Sequence, residues 1–468
     1  MKEKLTFLHT NDLHGQYDLA SRQSAFIKKR KQELMKENHN VIVVDGGDHM
    51  DMSMNECLAT NGYIHLDMMS ATGYDAMSVG NNELLRLPKE KIRQLSIDSK
   101  VPWLLLNLTE ADGSQIGGTK KSLILQAGEY LKIGLFGATD LFEDLYERKH
   151  GFKNLDTVSE IKKEVSSLKS EGANLIVFLS HLGLEADRKL AKELSSFIDI
   201  IIGAHTHNVL PKPENVSNVI IVQAGSYGQY VGELTVTVDL TTINVIDYTG
   251  RLTEMTLADE QDPDLEEVLM NGRLQAEQYL SEVLTESPED ISHEQLVKLT
   301  ADSLKEYWHT EIGIMYGGGL TEGLKSGTIT KRNMLDICKS MHTPIVMELT
   351  GKQIAGLIKE TYLEDVTNKP IYGGGFRPHG IPIGKLQFSG ISWTGEREEV
   401  SDIRVNGEEI NFSITYQVAT GTPLLYEEVC GYPSVVGSKL IQLGENIMIK
   451  DVVMDFLKKQ YAKRKTTV

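Results

Sequence analysis

Seven residues of metal-ligand type recur along the first 207 positions: Asp12 and His14, Asp48, Asn81, His181, and His205 with His207. Each follows closely on a short apolar run. Asp12 and His14 come after Leu5-Thr6-Phe7-Leu8, Asp48 after Val41-Ile42-Val43-Val44, and Asn81 after Ala76-Met77-Ser78-Val79. His181 closes the run at 174–179, and the His205/His207 pair closes the run at 198–202. Any one of these is ordinary. A strand-end Asp is usually a turn former, and a lone His-x-His is more often incidental than not. Five strand ends that all carry ligand types are harder to assign to chance. A carboxylate able to bridge, several imidazoles and an amide oxygen suit two divalent ions of the manganese, zinc or iron kind. Two such ions, roughly 3.5–4 Å apart, can clamp the attacking and leaving oxygens of a phosphoryl transfer.

The elements that must position these residues alternate between strand and helix. Further strands are expected at 101–106, 132–136, 218–222 and 233–238. Helix faces are marked by Ile64, Met68 and Ala71, by Val158, Ile161, Val165 and Leu168, and by Leu190, Leu194 and Phe197. Such alternation predicts a layered α/β domain over 1–250, with ligands collecting beyond the carboxyl ends of the strands. The acidic stretch 251–290 reads as a connecting helix or linker. From 291 the texture changes to a mixed α+β domain running to 468. Its strand candidates lie at 312–316, 346–349, 385–389 and 413–419, with Gly317-Gly318-Gly319 directly after the first. Glycines there allow an amide-lined anion site or simply a tight turn.

Composition narrows the partners. With 468 residues the chain exceeds one ordinary core. Its net charge of -18 argues against a nucleic-acid partner, because phosphate backbones are held by basic surface. A small phosphate ester is compatible, since metal ions supply the positive charge locally. Three widely spaced cysteines, Cys57, Cys338 and Cys430, suggest neither a disulfide framework nor a thiolate site. The first strand begins by Leu5, leaving little room for a signal peptide, and no apolar run approaches the roughly 18 residues of a membrane span. A cytoplasmic protein without a membrane partner is expected.

Five segments then fall into a known pattern: His9-Thr10-Asn11-Asp12-Leu13-His14-Gly15, Asp45-Gly46-Gly47-Asp48, Gly80-Asn81-Asn82-Glu83, Ser180-His181-Leu182-Gly183 and Gly203-Ala204-His205-Thr206-His207. This resembles the signature of calcineurin-like metallophosphoesterases. The carboxyl half resembles the accompanying 5′-nucleotidase C-terminal domain, through Tyr316-Gly317-Gly318-Gly319-Leu320, Val346 to Gly351, Lys385 to Gly390 and Val405-Asn406-Gly407. The resemblance implies a four-layer αββα sandwich followed by a smaller mixed domain, with substrate bound between the two. It implies one ion held by Asp12, His14, Asp48 and His207. The other would be held by Asp48, Asn81, His181 and His205, with Asp48 bridging. Water activated by the metals would attack phosphorus in line.

The chain also departs from that family. Asn82 and Leu85 stand where the family has a His oriented by an Asp. The expected catalytic role therefore passes to Asn82, as a hydrogen-bond donor to the phosphate without acid-base capacity. His49, beside Asp48, is expected to be a packing residue. Thr321 replaces a phosphate-contacting Arg, and no Arg occurs between Arg273 and Arg332. Ser340 and Leu424 occupy the positions of the two base-stacking Phe residues, and His342 that of an Asn. Substrate contacts are expected instead from Gly317, Gly318, Gly319, Arg377 and Tyr432, with His379 as a further candidate. The expected activity is hydrolysis of a phosphate ester of a nucleotide or related small molecule, in nucleotide catabolism. The alternative is a metal-binding, ligand-sensing protein that has lost efficient chemistry.

Overall fold

The computed structural model describes residues 2–372, 375–376, 378, 380–445 and 447–465. The chain divides into two compact units, Met1–Ala276 and Glu277–Val468.

The first unit opens with β1 (Lys2–Thr10), α1 (Tyr17–Lys36), β2 (Asn40–Asp45), α2 (Asn55–Ala59), α3 (Tyr63–Thr72), β3 (Ala76–Ser78), α4 (Asn81–Leu85) and α5 (Lys89–Asp98). It continues through β4 (Trp103–Leu104), β5 (Leu108–Thr109), β6 (Ser122–Ala127), β7 (Leu131–Thr139), α6 (Leu145–His150), β8 (Lys153–Asn154), α7 (Thr157–Ser170), β9 (Leu175–His181) and α8 (Leu184–Glu193). It ends with β10 (Ile200–Gly203), β11 (Glu214–Val216), β12 (Val219–Val222), β13 (Tyr230–Asp239), β14 (Asn244–Glu254) and α9 (Pro263–Leu280), the helix in which the unit boundary falls.

Two six-stranded sheets form the centre, in the orders β14-β13-β1-β2-β3-β4 and β11-β12-β10-β9-β7-β6. Side chains alternate across each strand with period two. Leu5, Phe7, Ile42 and Val44 of the first sheet meet Ile133, Leu135, Val177, Leu179, Ile200 and Ile202 of the second in one apolar layer. The opposite face of the second sheet presents Phe136, Ile176, Phe178 and Ile201 to Ile161, Val165 and Leu168 of α7 and Leu190 and Ala191 of α8. α1 covers the first sheet along β1, β2 and β13. The result is the helix–sheet–sheet–helix layering expected from the sequence. α9 packs Leu265 and Leu269 onto Leu13, Tyr17, Ile64 and Met68.

Two expectations differ in detail. Only Trp103–Leu104 of the stretch 101–106 is strand, the edge strand of its sheet. The stretch 251–290 is not one helix: it holds the end of β14, α9 and the strand Val283–Ser287. The long β14 pairs with β13 as far as Glu254, and that ladder holds the backbone extended where composition alone favours helix.

The second unit is built on a five-stranded sheet in the order Leu386–Ser389, Ile312–Tyr316, Thr415–Gly421, Pro344–Thr350, Lys439–Leu443. The helix His293–Trp308 starts at a capping box between Ser292 and Gln295. It buries Leu296, Val297, Ala301 and Leu304 in the same core as Ile312 and Ile314. Among the described residues, no helix is long and apolar enough to cross a membrane.

Candidate metal centre

The strands that precede the seven residues run parallel to one another within each sheet: β1, β2 and β3 in one, and β9 and β10, flanked by parallel β7 and β12, in the other. Their carboxyl ends therefore lie at one edge of each sheet. Asp12 and His14 follow β1, Asp48 follows β2, and Asn81 opens α4 after β3. His181 ends β9, and His205 and His207 follow β10.

Ligand atoms of Asp12, His14 and His207 come within 4.8 Å of one another, as do those of Asp12, Asp48 and His181. His207 Nε2 is 3.4 Å from Asp12 Oδ1 and 3.2 Å from His14 Nε2. His181 Nε2 is 3.4 Å from Asp48 Oδ1 and 3.2 Å from Asn81 Oδ1. Asp48 Oδ2 faces the other way, 3.9 Å from His14 Nε2. One carboxylate oxygen thus addresses each side of the cluster. His205 is turned differently: its Nε2 lies 3.5 Å from Asp140 Oδ2, and its ring stands 5.1 Å from that of His181.

The donor set fits divalent cations. Asp12 Oδ2 accepts from Asn11 Nδ2 and from the His205 amide, at 2.8 and 2.9 Å. Asp12 Oδ1 is buried and has no hydrogen-bond partner among the described residues. A buried carboxylate oxygen aimed at imidazole nitrogens and lacking a donor has the chemistry to hold a cation. His181 Nδ1 donates to the Gly46 carbonyl at 2.9 Å, which leaves the Nε2 lone pair pointing into the cluster.

Neighbouring groups hold the loops in register. Glu83 accepts from the amides of Asp48 (3.1 Å), Gly80 (2.9 Å) and Met50 (3.0 Å), tying the Asp48 loop to the start of α4. Gly80 has to be glycine: a Cβ there would stand 2.1 Å from Asp48 Oδ1. Asn11 bridges from β1 to the segment after β12 through Ala224 N and Gly225 O. Asp12, His14, Asp48, His205 and His207 all have positive φ. Such backbone costs about 1–3 kcal/mol per residue and collects at functional sites.

Electrostatics follow from burial and proximity. Burial disfavours charge on both Asp48 and His181, but each stabilises the other. The Asp48 carboxyl sits below its ordinary range and the His181 ring above its own. His14 is held below the usual imidazole range by burial, against the pull of Asp48 and Asp12. The Asp140 carboxyl is lowered, first by its contact with His205.

Several expected contacts turn out otherwise. The Asn82 amide nitrogen donates to His14 Nδ1 at 2.8 Å and to the Met50 carbonyl at 3.2 Å, and its backbone N–H goes to Asp48 Oδ1 at 2.7 Å. Its donors are spent inside the protein rather than offered to a phosphate. The amides of Gly317 and Gly318 are taken by the carbonyls of Lys385 (2.8 Å) and Ile383 (2.7 Å), so they form no anion-binding nest. The glycines instead permit close backbone packing: a Cβ on Gly318 would lie 2.0 Å from the Pro382 carbonyl oxygen. Gly319 is buried against Met315 and Tyr316. Gly317 and Gly318 do line a cavity of 520 Å³ within the second unit, with His293, Leu320, Ile381 and Lys385. Tyr432 is fully buried in that unit's core and donates to the Gly384 carbonyl at 2.8 Å, so it has nothing to present to a ligand. Arg377 and His379 lie outside the described residues. His49 is buried, with Nδ1 2.8 Å from His65 Nδ1, as expected of a packing residue.

Two further residues belong to the centre, Glu83 and Asp140. Glu83 stands three positions after Gly80, the spacing of a capping-box acid, and that spacing is the signal for it. Asp140 follows β7, which runs three residues past the expected end at Phe136. Extending the apolar run Ile133 to Ala138 would have placed Asp140 at a sixth strand end.

Comparisons with known proteins agree with this architecture. A calcineurin-like phosphoesterase profile matches residues 5–209, and a 5′-nucleotidase C-terminal domain profile matches residues 272–423. The uncharacterized metallophosphoesterase YunD of Bacillus subtilis is 29% identical over 429 residues, spanning 90% of this chain and 92% of that protein. A 5′-nucleotidase of Vibrio vulnificus is 24% identical over 527 residues, spanning 97% and 90%. Among solved structures, the NAD nucleotidase of Haemophilus influenzae superposes with a TM-score of 0.65 at 16% identity, covering 98% of this chain and 97% of that one.

Proposed function

Because the chain belongs to the calcineurin-like metallophosphoesterases that carry a 5′-nucleotidase C-terminal domain, we propose that it hydrolyses the phosphate ester of a nucleotide or related small molecule with the help of two divalent ions. The observation that carries this reading is that ligand atoms of Asp12, His14 and His207, and of Asp12, Asp48 and His181, lie within 4.8 Å of one another, with Asn81 Oδ1 3.2 Å from His181 Nε2 and Asp12 Oδ1 buried and undonated. His14, His207 and Asp12 would hold one ion and His181, Asn81 and His205 the other, with Asp48 available to both. Divalent cations, when bound, polarise the phosphoryl group and lower the pKa of water so that a nucleophile exists near neutral pH.

The chain's own residues prepare that chemistry. The Gly46 carbonyl fixes the His181 ring, and Asp140 faces His205. Asn82 orients His14 rather than acting on the substrate. Asn82 itself offers no acid-base group where the resemblance places a histidine. Such a group is typically worth roughly 10²–10⁴ in rate. The reading therefore favours an ester whose leaving group needs little protonation.

The test is phosphate release from nucleoside monophosphates, nucleotide sugars, cyclic nucleotides and aryl phosphates, using metal-analysed protein with added manganese. Turnover that is abolished in His205→Ala is the expected result. Absence of cleavage across the panel, or full activity in His205→Ala, would refute the proposal. The curated relatives matched include enzymes named as 5′-nucleotidase and apyrase, which gives a purely sensing role no support.

A further inference from the structure

Seventeen non-glycine residues have positive φ among the described residues, and most are turn formers or the candidate ligands themselves. Phe142 and Tyr227 are neither. Both are large aromatics, both are 37% exposed, and both sit against imidazoles of the centre. The Phe142 ring stands edge-on to His205, with centroids 5.7 Å apart and planes at 83°. The Tyr227 ring lies 5.3 Å from His14 and 5.3 Å from His207. A singly exposed aromatic needs no explanation. An aromatic held out to solvent by left-handed backbone does, because bulky residues avoid that region.

In each case the strain is built in. Phe142 and Glu143 are left-handed in succession, and the turn is closed by the Phe142 amide donating to Asp140 Oδ1 at 3.1 Å. The same Asp140 faces His205. Tyr227 is followed by left-handed Gly228, and its amide donates to the Asp12 carbonyl at 2.7 Å. Each ring is thus positioned through a residue of the centre itself. One ring borders the His205 side and the other the His14/His207 side.

We propose that Phe142 and Tyr227 form an aromatic rim on the first unit that contacts a planar aromatic group carried by the phosphate ester. This rests on the phosphoesterase reading above and names its substrate class. It also bears on a departure from the family, since Ser340 and Leu424 stand where the resemblance places two stacking phenylalanines. Aromatic side chains at the mouth of a site select flat, polarisable rings by stacking and tolerate variation in ring identity.

The experiment measures two quantities on the full-length protein. The first is the ratio of kcat/KM for AMP and for p-nitrophenyl phosphate to that for glycerol 2-phosphate. The second is the affinity for adenosine and for p-nitrophenol by equilibrium dialysis, which needs no turnover. Phe142→Leu and Tyr227→Leu should each lower the aromatic-to-alkyl ratio and the affinity roughly ten-fold, the scale of a lost stacking contact. Phe142→Tyr should retain both. Phe412→Leu, at an exposed phenylalanine of the second unit, should change neither. Adenosine binding without p-nitrophenol binding assigns a nucleobase, and binding of both assigns aryl groups in general. Esters cleaved with ratios and affinities unaltered in both Leu variants, or a wild type that binds neither ring and cleaves alkyl and aryl esters alike, would overturn the rim and leave the hydrolase reading standing. No cleavage, but adenosine binding that falls in the Leu variants, would sink the hydrolase reading and support the rim. If a Leu variant fails to fold, as judged by its melting curve, Phe142→Tyr together with Tyr227→Phe decides: preserved ratios support the rim, and ratios at the alkyl level overturn it.

Discussion

Replacing Asp187 by Asn should make the protein less sensitive to rising pH. Asp187 lies on α8 and is fully buried. One carboxylate oxygen accepts from Ser180 Oγ at 2.5 Å, and the other is buried without a partner among the described residues. Burial pushes its carboxyl up to about 7 from 3.8, against the hydrogen bond from Ser180. A folded-state value above the unfolded one means full stability below pH ~4, lost progressively as pH rises through about 7. At about 1.36 kcal/mol per unit, the loss totals about 4 kcal/mol. More than half of it falls between pH 5 and pH 8. Asparagine keeps an acceptor for Ser180 and has no charge to bury. Urea unfolding of wild type and Asp187→Asn, with chelator present throughout, should give stability differences that move in the variant's favour by that amount over this range. Parallel pH profiles would refute the reasoning, because they would mean that Asp187 ionises as easily in the folded chain as in the unfolded one.

Other perturbations reach the centre and the second unit separately. Glu83→Gln turns an NH₂ toward at least one of three buried amides; it should cost about 1–3 kcal/mol and lower retained metal, read by melting and by elemental analysis. Gly318→Ala drives a methyl into the Pro382 carbonyl and should destabilise by about 1–3 kcal/mol, seen as faster hydrogen exchange in the second unit with metal content unchanged. Tyr432→Phe removes one buried hydrogen bond and should cost about 1 kcal/mol in denaturant without changing KM, the outcome a ligand-contacting tyrosine would not give.

The seven ligand candidates were legible because parallel strands put their carboxyl ends together, and a polar residue after an apolar run marks such an end. The same logic reached Asp48 and missed Asp140, since Gly134 and Gly137 interrupt the apolar pattern of β7 and its last residues went unread. The resemblance gives Asn82 a substrate-donor role because it stands where the family has a histidine. Which way an amide points depends on His14 and Met50, brought near by other strands, and no local spacing encodes that. Tyr432 illustrates the same limit: its neighbours along the chain do not distinguish a pocket residue from a core residue, and only the packed core shows it buried. The rim aromatics left no periodic trace, because backbone handedness at Phe142 and Tyr227 is set by hydrogen bonds to Asp140 and Asp12.

Asp12, His14, Asp48 and Asn81 come from one sheet, while His181, His205 and His207 come from the other. Ions held by this set would rivet the two leaves of the sandwich at the rim where the loops emerge. Folding and chemistry would then draw on the same bonds. Mutations that weaken a ligand would be removed for loss of structure before loss of turnover was felt, so the rivets would outlast changes in what the protein acts on. Leu85 and Thr321 lie outside that set, and drift toward a new substrate can proceed at such positions while the seven stay fixed.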